Sequence, residues 1–177
     1  IIVPRICQLK TFWGSFLDGN TLSKWNKNMV ETAGIGNLPV LEWLHINRAQ
    51  SCTMKDTLLF RFVNAIDVAA GNGHLPVVQW LHTNRCCGGC THVTEKAMDD
   101  ASKNGHLSVV EWLHANRSEG CTENAMNGAA SGGHLSVVEW LHANRYEGCT
   151  TAAMDLAAED GHLSVVEWLH ANRSEGC

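Results

Sequence analysis

The sequence predicts an all-α fold, an α-solenoid of stacked helix-turn-helix units. Three observations predict it. The segment LSVVEWLHANR at 107–117 recurs unchanged at 135–145 and 163–173, with looser copies at 75–85 and 38–48. A glycine precedes each copy, at 36, 73, 105, 133 and 161, so the spacings are 37, 32, 28 and 28 residues. Before each glycine lies a second recurring stretch of eight residues, such as AMNGAASG at 125–132 and AMDLAAED at 153–160. A period in this range is the signature of units that bury their apolar faces only against their neighbours.

Each element follows from its own residues. In the eight-residue stretch, Met or Ile stands second and small residues stand fifth and sixth. That spacing is an i, i+3, i+4 apolar stripe, hence a short first helix with one buried face. Thr122 and Thr150, three residues upstream of an alanine, are the expected N-caps. The glycine ends the helix, because it takes the left-handed conformation cheaply. The second helix carries Leu107, Val109, Val110, Trp112 and Leu113, apolar on more than one face, so it is sandwiched between neighbours. Glu111 points outward, while His114 and Arg117 sit near the C-terminal end, where positive charge suits the helix dipole. The extra residues of the early units fall in the connections, where surface loops tolerate insertion. Residues 25–177 therefore form an array of about five helix pairs, above the roughly three that independent stability needs. Residues 1–24, with Phe12, Trp13, Phe16 and Leu17, read as an N-terminal cap or a degenerate repeat. The last second helix has no polar variant, which reads as a fragment of a longer array.

Composition narrows the function. Hydrophobic residues at 45% and charged residues at 18% suffice for a core, which argues against disorder. A net charge of −5 argues against nucleic acid, which asks for a clustered basic face. No stretch of 18 apolar residues is present to span a membrane. Ten His and eight Cys suggest a metal or redox protein, but nine of the His and five of the Cys are repeat positions. Within one unit the paired His are eight residues apart, about 12 Å at ~1.5 Å per residue, too far to share an ion. The repeat Cys (52, 90, 121, 149 and 177) read as free, packed thiols, which points to the cytoplasm or another intracellular, reducing compartment. Cys86, Cys87 and Cys90 are the candidate exception, with His82 and His92 nearby in sequence. A single C-x-x-C without a second pair reads first as drift in a tolerant loop, so no metal or cofactor is assigned. The Trp at 43, 80, 112, 140 and 168 read as core between repeats.

The string AAEDGHLSVVE at 157–167, with near copies at 129–139, 101–111 and 69–79, resembles the core of ankyrin repeats. The resemblance covers roughly residues 24 to 173. Two departures stand out. Ala-Met-Asp or Ala-Met-Asn replaces the family's T-P-L-H opening, and the period of 28 falls short of ~33. The shortening lies in the loop, SEGCT at 118–122 or YEGCT at 146–150, where the family carries a projecting hairpin. The resemblance implies a non-enzymatic scaffold for protein–protein interaction, binding through a concave face lined by the first helices.

Comparison of the units points to the same face, because residues that differ between copies are free to specify a partner. The partner-binding candidates are Asp99, Asp100, Lys103, Glu123, Asn127, Ser131, Asp155, Leu156, Glu159 and Asp160. Their acidic lean toward the C-terminus favours a protein partner with basic features. The alternatives are a targeting fragment of a larger enzyme and a zinc or redox loop at Cys86–Cys90. No catalytic residue is assigned: Gly-rich phosphate loops, nucleophile elbows and H-E-x-x-H pairs are missing from the sequence.

Overall fold

The computed structural model describes residues 22–49, 65–84 and 93–175. Among these residues there are ten α-helices and no strand. They alternate as first and second helices: α1 (Leu22–Ile35) and α2 (Leu38–Ala49), α3 (Ala65–Gly71) and α4 (Leu75–Thr83), α5 (Glu95–Lys103) and α6 (Leu107–Asn116). Then follow α7 (Glu123–Ser131) and α8 (Leu135–Asn144), and α9 (Ala152–Glu159) and α10 (Leu163–Asn172). The first helices pack in an unbroken row, α1 on α3 on α5 on α7 on α9, and contact between second helices is sparser.

Each unit is closed by the same turn. The five glycines that end the first helices have φ between 72° and 78°. The amide of the residue after each of these glycines reaches back five residues, as in His106 N–H to the Ala101 carbonyl at 2.9 Å. This is the Schellman pattern, and it satisfies carbonyls that the helix end would otherwise orphan. A side chain here also meets the next unit: a Cβ added at Gly105 would lie 2.5 Å from His134 Nδ1. Turn and stacking therefore select glycine together.

The core is one continuous cluster along the stack. In the third unit it takes Ala97, Met98 and Ala101 from α5 and Val109, Val110 and Leu113 from α6. Helices of 7–10 residues are too short to be stable alone, so this burial is what holds them. The tryptophans differ from the sequence expectation. Trp80, Trp112, Trp140 and Trp168 are half-buried, packed against the core and not within it. Each meets the histidine of the unit before edge-on, as His82 with Trp112 and His114 with Trp140, at centroid distances of 5.1 and 5.2 Å.

Two local expectations change. α1 is 14 residues long and begins at Leu22, upstream of the eight-residue stretch and inside the segment read as a cap. Residues 1–21 lie outside the described residues. Thr122 caps α7, its hydroxyl accepting from Asn124 N–H at 3.1 Å. Thr150 does not cap α9, which starts after Thr151 without a side-chain cap. The Thr150 side chain bonds across the unit boundary, to Asn127.

Candidate functional site

In three units the third residue of the eight-residue stretch bonds to the next unit. Asp67 accepts from both the amide and the hydroxyl of Thr94, at 3.2 and 2.8 Å. Asp99 does the same with Thr122, at 2.9 and 2.7 Å. A carboxylate that takes the hydroxyl proton leaves the threonine oxygen free to accept, which is why Thr94 and Thr122 also cap their own helices. Asn127 reverses one bond: its Nδ2 donates to Thr150 Oγ1 at 3.0 Å while its Oδ1 accepts from Thr150 N–H. Here the Thr150 hydroxyl accepts from Asn127, and α9 has no side-chain cap. Burial pushes the Asp99 carboxyl above its ordinary 3.8, with the two Thr122 bonds pulling the other way.

Two of the candidate binding residues, Asp99 and Asn127, thus serve as clasps between units. The others stand on the open side of the first-helix row. Lys103, Glu123, Asp155, Leu156, Glu159 and Asp160 are exposed, and Asp100 and Ser131 are half-buried. Lys96 approaches Asp100 at 3.9 Å, one turn along α5. Ser131 donates to Asp160 at 2.9 Å, linking α7 to the end of α9. The structure brings Asp99, Asp100, Lys103, Asn127, Ser131 and Leu156 to one groove of about 570 Å³, whose walls come from α5, α7 and α9. Glu123, Asp155, Glu159 and Asp160 are not among its lining residues.

The opposite side is built from repeated residues. Arg117 pairs with Glu119 in the short loop and donates to His82 Nδ1 of the previous unit at 3.4 Å. Arg145 repeats this with Glu147 and His114, and Arg173 with Glu175 and His142. The Arg173 hydrogen bond holds the Glu175 carboxyl below its ordinary 4.5. These pairs replace the projecting hairpin with a stub that braces one unit on the next. Sequence reasoning missed both the clasps and the braces. The clasp had a signal, an Asp or Asn at 67, 99 and 127 followed by Thr at 94, 122 and 150.

Among the described residues no three His, Cys, Asp or Glu come together as a metal site. Cys86, Cys87, Cys90 and His92 lie outside the described residues. Cys121 and Cys149 are free thiols, and burial pushes the Cys121 thiol up to about 11, where little reactive thiolate forms. No described helix is long and apolar enough to cross a membrane.

Residues 98–142 match the family model of ankyrin repeats (many copies). No curated protein matches the chain. The matched segment runs from Met98 in α5 to His142 in α8, two helix pairs whose turn, stacking and sequence recur on either side. The described helix pairs form one array, and its residues 98–142 are similar to ankyrin repeats.

Proposed function

We propose that this array is a non-enzymatic scaffold that binds a protein partner through the variable concave face of its first helices. Ankyrin repeats generally mediate protein–protein interaction. One observation carries the choice of face. The groove of about 570 Å³ is lined by positions that differ between units, such as Asp100, Gly128 and Leu156, together with the clasp residues Asp99, Thr122 and Asn127, whereas the turns and braces lie outside it. Asp100, Lys103, Ser131 and Leu156 line the groove. Glu123, Asp155, Glu159 and Asp160 extend its surroundings as exposed, mainly acidic groups. The free thiols of Cys121 and Cys149 favour an intracellular setting for this interaction.

The test is an unbiased pulldown comparing the wild type with a variant in which Asp155, Glu159 and Asp160 are all changed to Ala. All three side chains are exposed, so folding should be unaffected. A partner retained by the wild type and lost by the variant is the expected result. Equal capture of that partner by both proteins would move the binding site elsewhere.

A further inference from the structure

The sequence holds three Asn-Gly pairs, at 72–73, 104–105 and 127–128. In this dipeptide the backbone nitrogen most readily reaches the preceding side-chain amide, because glycine has no Cβ to obstruct it. The fold treats the three pairs differently. Asn127 is 9% exposed on α7, its Nδ2 donating to Thr150 Oγ1 and its Oδ1 accepting from Thr150 N–H, both at 3.0 Å. Gly128 lies inside the same helix, where its amide belongs to the helical ladder. Asn72 and Asn104 instead stand exposed just past α3 and α5, each directly before the turn glycine. A hydrogen bond to the unit before tethers each side chain: Asn72 Nδ2 to the Gly34 carbonyl at 2.8 Å, and Asn104 Nδ2 to the Gly71 carbonyl at 2.7 Å. The nitrogens of Gly73 and Gly105 donate to the Ala70 and Ser102 carbonyls in the last turn of each helix, at 3.0 and 3.1 Å. Helix ends fray at little cost, whereas Asn127 is freed only by opening a helix and a junction together.

We propose that Asn72 and Asn104 are sites of spontaneous deamidation, and that the product loosens the junction to the preceding unit. In the third unit the Gly105 nitrogen attacks Asn104 Cγ and forms the C–N bond of a succinimide ring. The Cγ–Nδ2 bond breaks, and ammonia leaves with the proton that the glycine nitrogen gives up. Water then opens the ring at either carbonyl, giving aspartate or isoaspartate. The reaction consumes only water, and the same steps apply at Asn72 and Gly73. What the product does follows from the tether. A carboxylate at 104 has no proton to donate, so acceptor faces acceptor where Asn104 now reaches the Gly71 carbonyl at 2.7 Å. The fifth unit shows what an acid needs at this position: Asp160 accepts from the Ser131 hydroxyl at 2.9 Å. Gly34 and Gly71 stand where Ser131 does and have no hydroxyl to offer. Isoaspartate also lengthens the backbone by a methylene, just before the turn closed by the Gly105 and His106 amides. The chemistry is independent of which face binds a partner.

The test uses the full chain, aged at neutral pH with and without denaturing urea, then mapped by peptide mass spectrometry for the mass gain of an amide becoming an acid. In the folded chain Asn72 and Asn104 should convert at least about tenfold faster than Asn127. In urea all three should convert at similar rates, since glycine follows each of them. Asn104→Asp should melt about 2–4 °C below the wild type, the shift that one lost hydrogen bond gives in a chain of this size. Aged wild type enriched in the product should melt lower as well. Conversion of Asn127 as fast as that of Asn104 in the folded chain would overturn the assignment. So would amides at 72 and 104 that persist in the folded chain while they convert in urea. An Asn104→Asp variant with the wild-type midpoint would overturn the loosening of the junction.

Discussion

At Asp99 a half-buried carboxylate holds a threonine of the next unit by two hydrogen bonds. Removing it leaves a Thr122 amide and hydroxyl without their partner, so Asp99→Ala should cost about 1–3 kcal/mol. Asp99→Asn should cost less than about 1 kcal/mol, because Asn127 already makes the equivalent two-point contact without burying a charge. Urea denaturation of both variants checks this, and equal losses would contradict it. Ser102 gives a change of opposite sign. Its hydroxyl is buried without a hydrogen-bond partner, at a position filled by Ala70 and Ala130 in neighbouring units. Ser102→Ala should therefore raise stability by about 1 kcal/mol, measured the same way; a loss would show that the hydroxyl is satisfied. Both residues also mark where the sequence stopped being legible. Asp at 99 and Asn at 127 look like free variation, because the bond that reverses between them lies in the following unit. Pairing across 23 residues is not visible to helical periodicity.

Helix and turn were legible because their causes are local. An i, i+3, i+4 stripe and a following glycine are contained in a dozen residues, and all five turns have the expected positive φ. What stacking adds to the turn can be separated by experiment. Gly133 and Gly161 have φ of 72° and 78°, but a Cβ at Gly133 would lie 2.5 Å from His162 Nδ1 while one at Gly161 meets nothing within 4 Å. Gly161→Ala should show only the backbone penalty of about 1 kcal/mol. Gly133→Ala should cost at least about 1 kcal/mol more, because the imidazole of the next unit must move. Equal midpoints for the two variants would mean that the imidazole packing contributes nothing. One imidazole of the same column, His106, makes the array sensitive to acid. Burial, then the nearby His134 and His74, lower the affinity of His106 for a proton below its ordinary 6.5, against a bond from the Gly71 carbonyl. The unfolded chain then takes up the proton first, so this contribution to stability declines as pH falls from 6.5 through the folded value. Urea midpoints at about pH 7.5 and about pH 5.5 should differ less in His106→Gln than in the wild type. An unchanged difference would remove His106 from the account. The α1 boundary was harder to read. Leu22 and Trp25 continue the helical spacing that reaches Met29, and Gly19, Asn20 and Thr21 stand just upstream as stop and cap signals, but the repeat pattern used to read the other units begins only at Asn28.

Over the whole molecule, one pattern of residues is used for cohesion and another is left open. The His, Trp, Arg and Glu that dominate the composition brace neighbouring units, as His82, Trp112, Arg117 and Glu119 do together. In that arrangement the repeated histidines of the described units serve in packing between neighbours. The number of units and their order were legible, since repetition is a property of the sequence itself. The groove was not, because its lining comes from three first helices, α5, α7 and α9, far apart in the chain. The two faces of the array offer a direct comparison. Glu111, Glu139 and Glu167 are exposed and identical on successive second helices, whereas Asp155, Glu159 and Asp160 border the variable face. With the partner recovered by pulldown, calorimetric titration of the wild type and of an Ala triple variant on each face measures which face binds. The account predicts about a tenfold or greater loss for Asp155, Glu159 and Asp160 and no loss for Glu111, Glu139 and Glu167. Affinity lost from the second-helix variant and kept by the first-helix variant would contradict it.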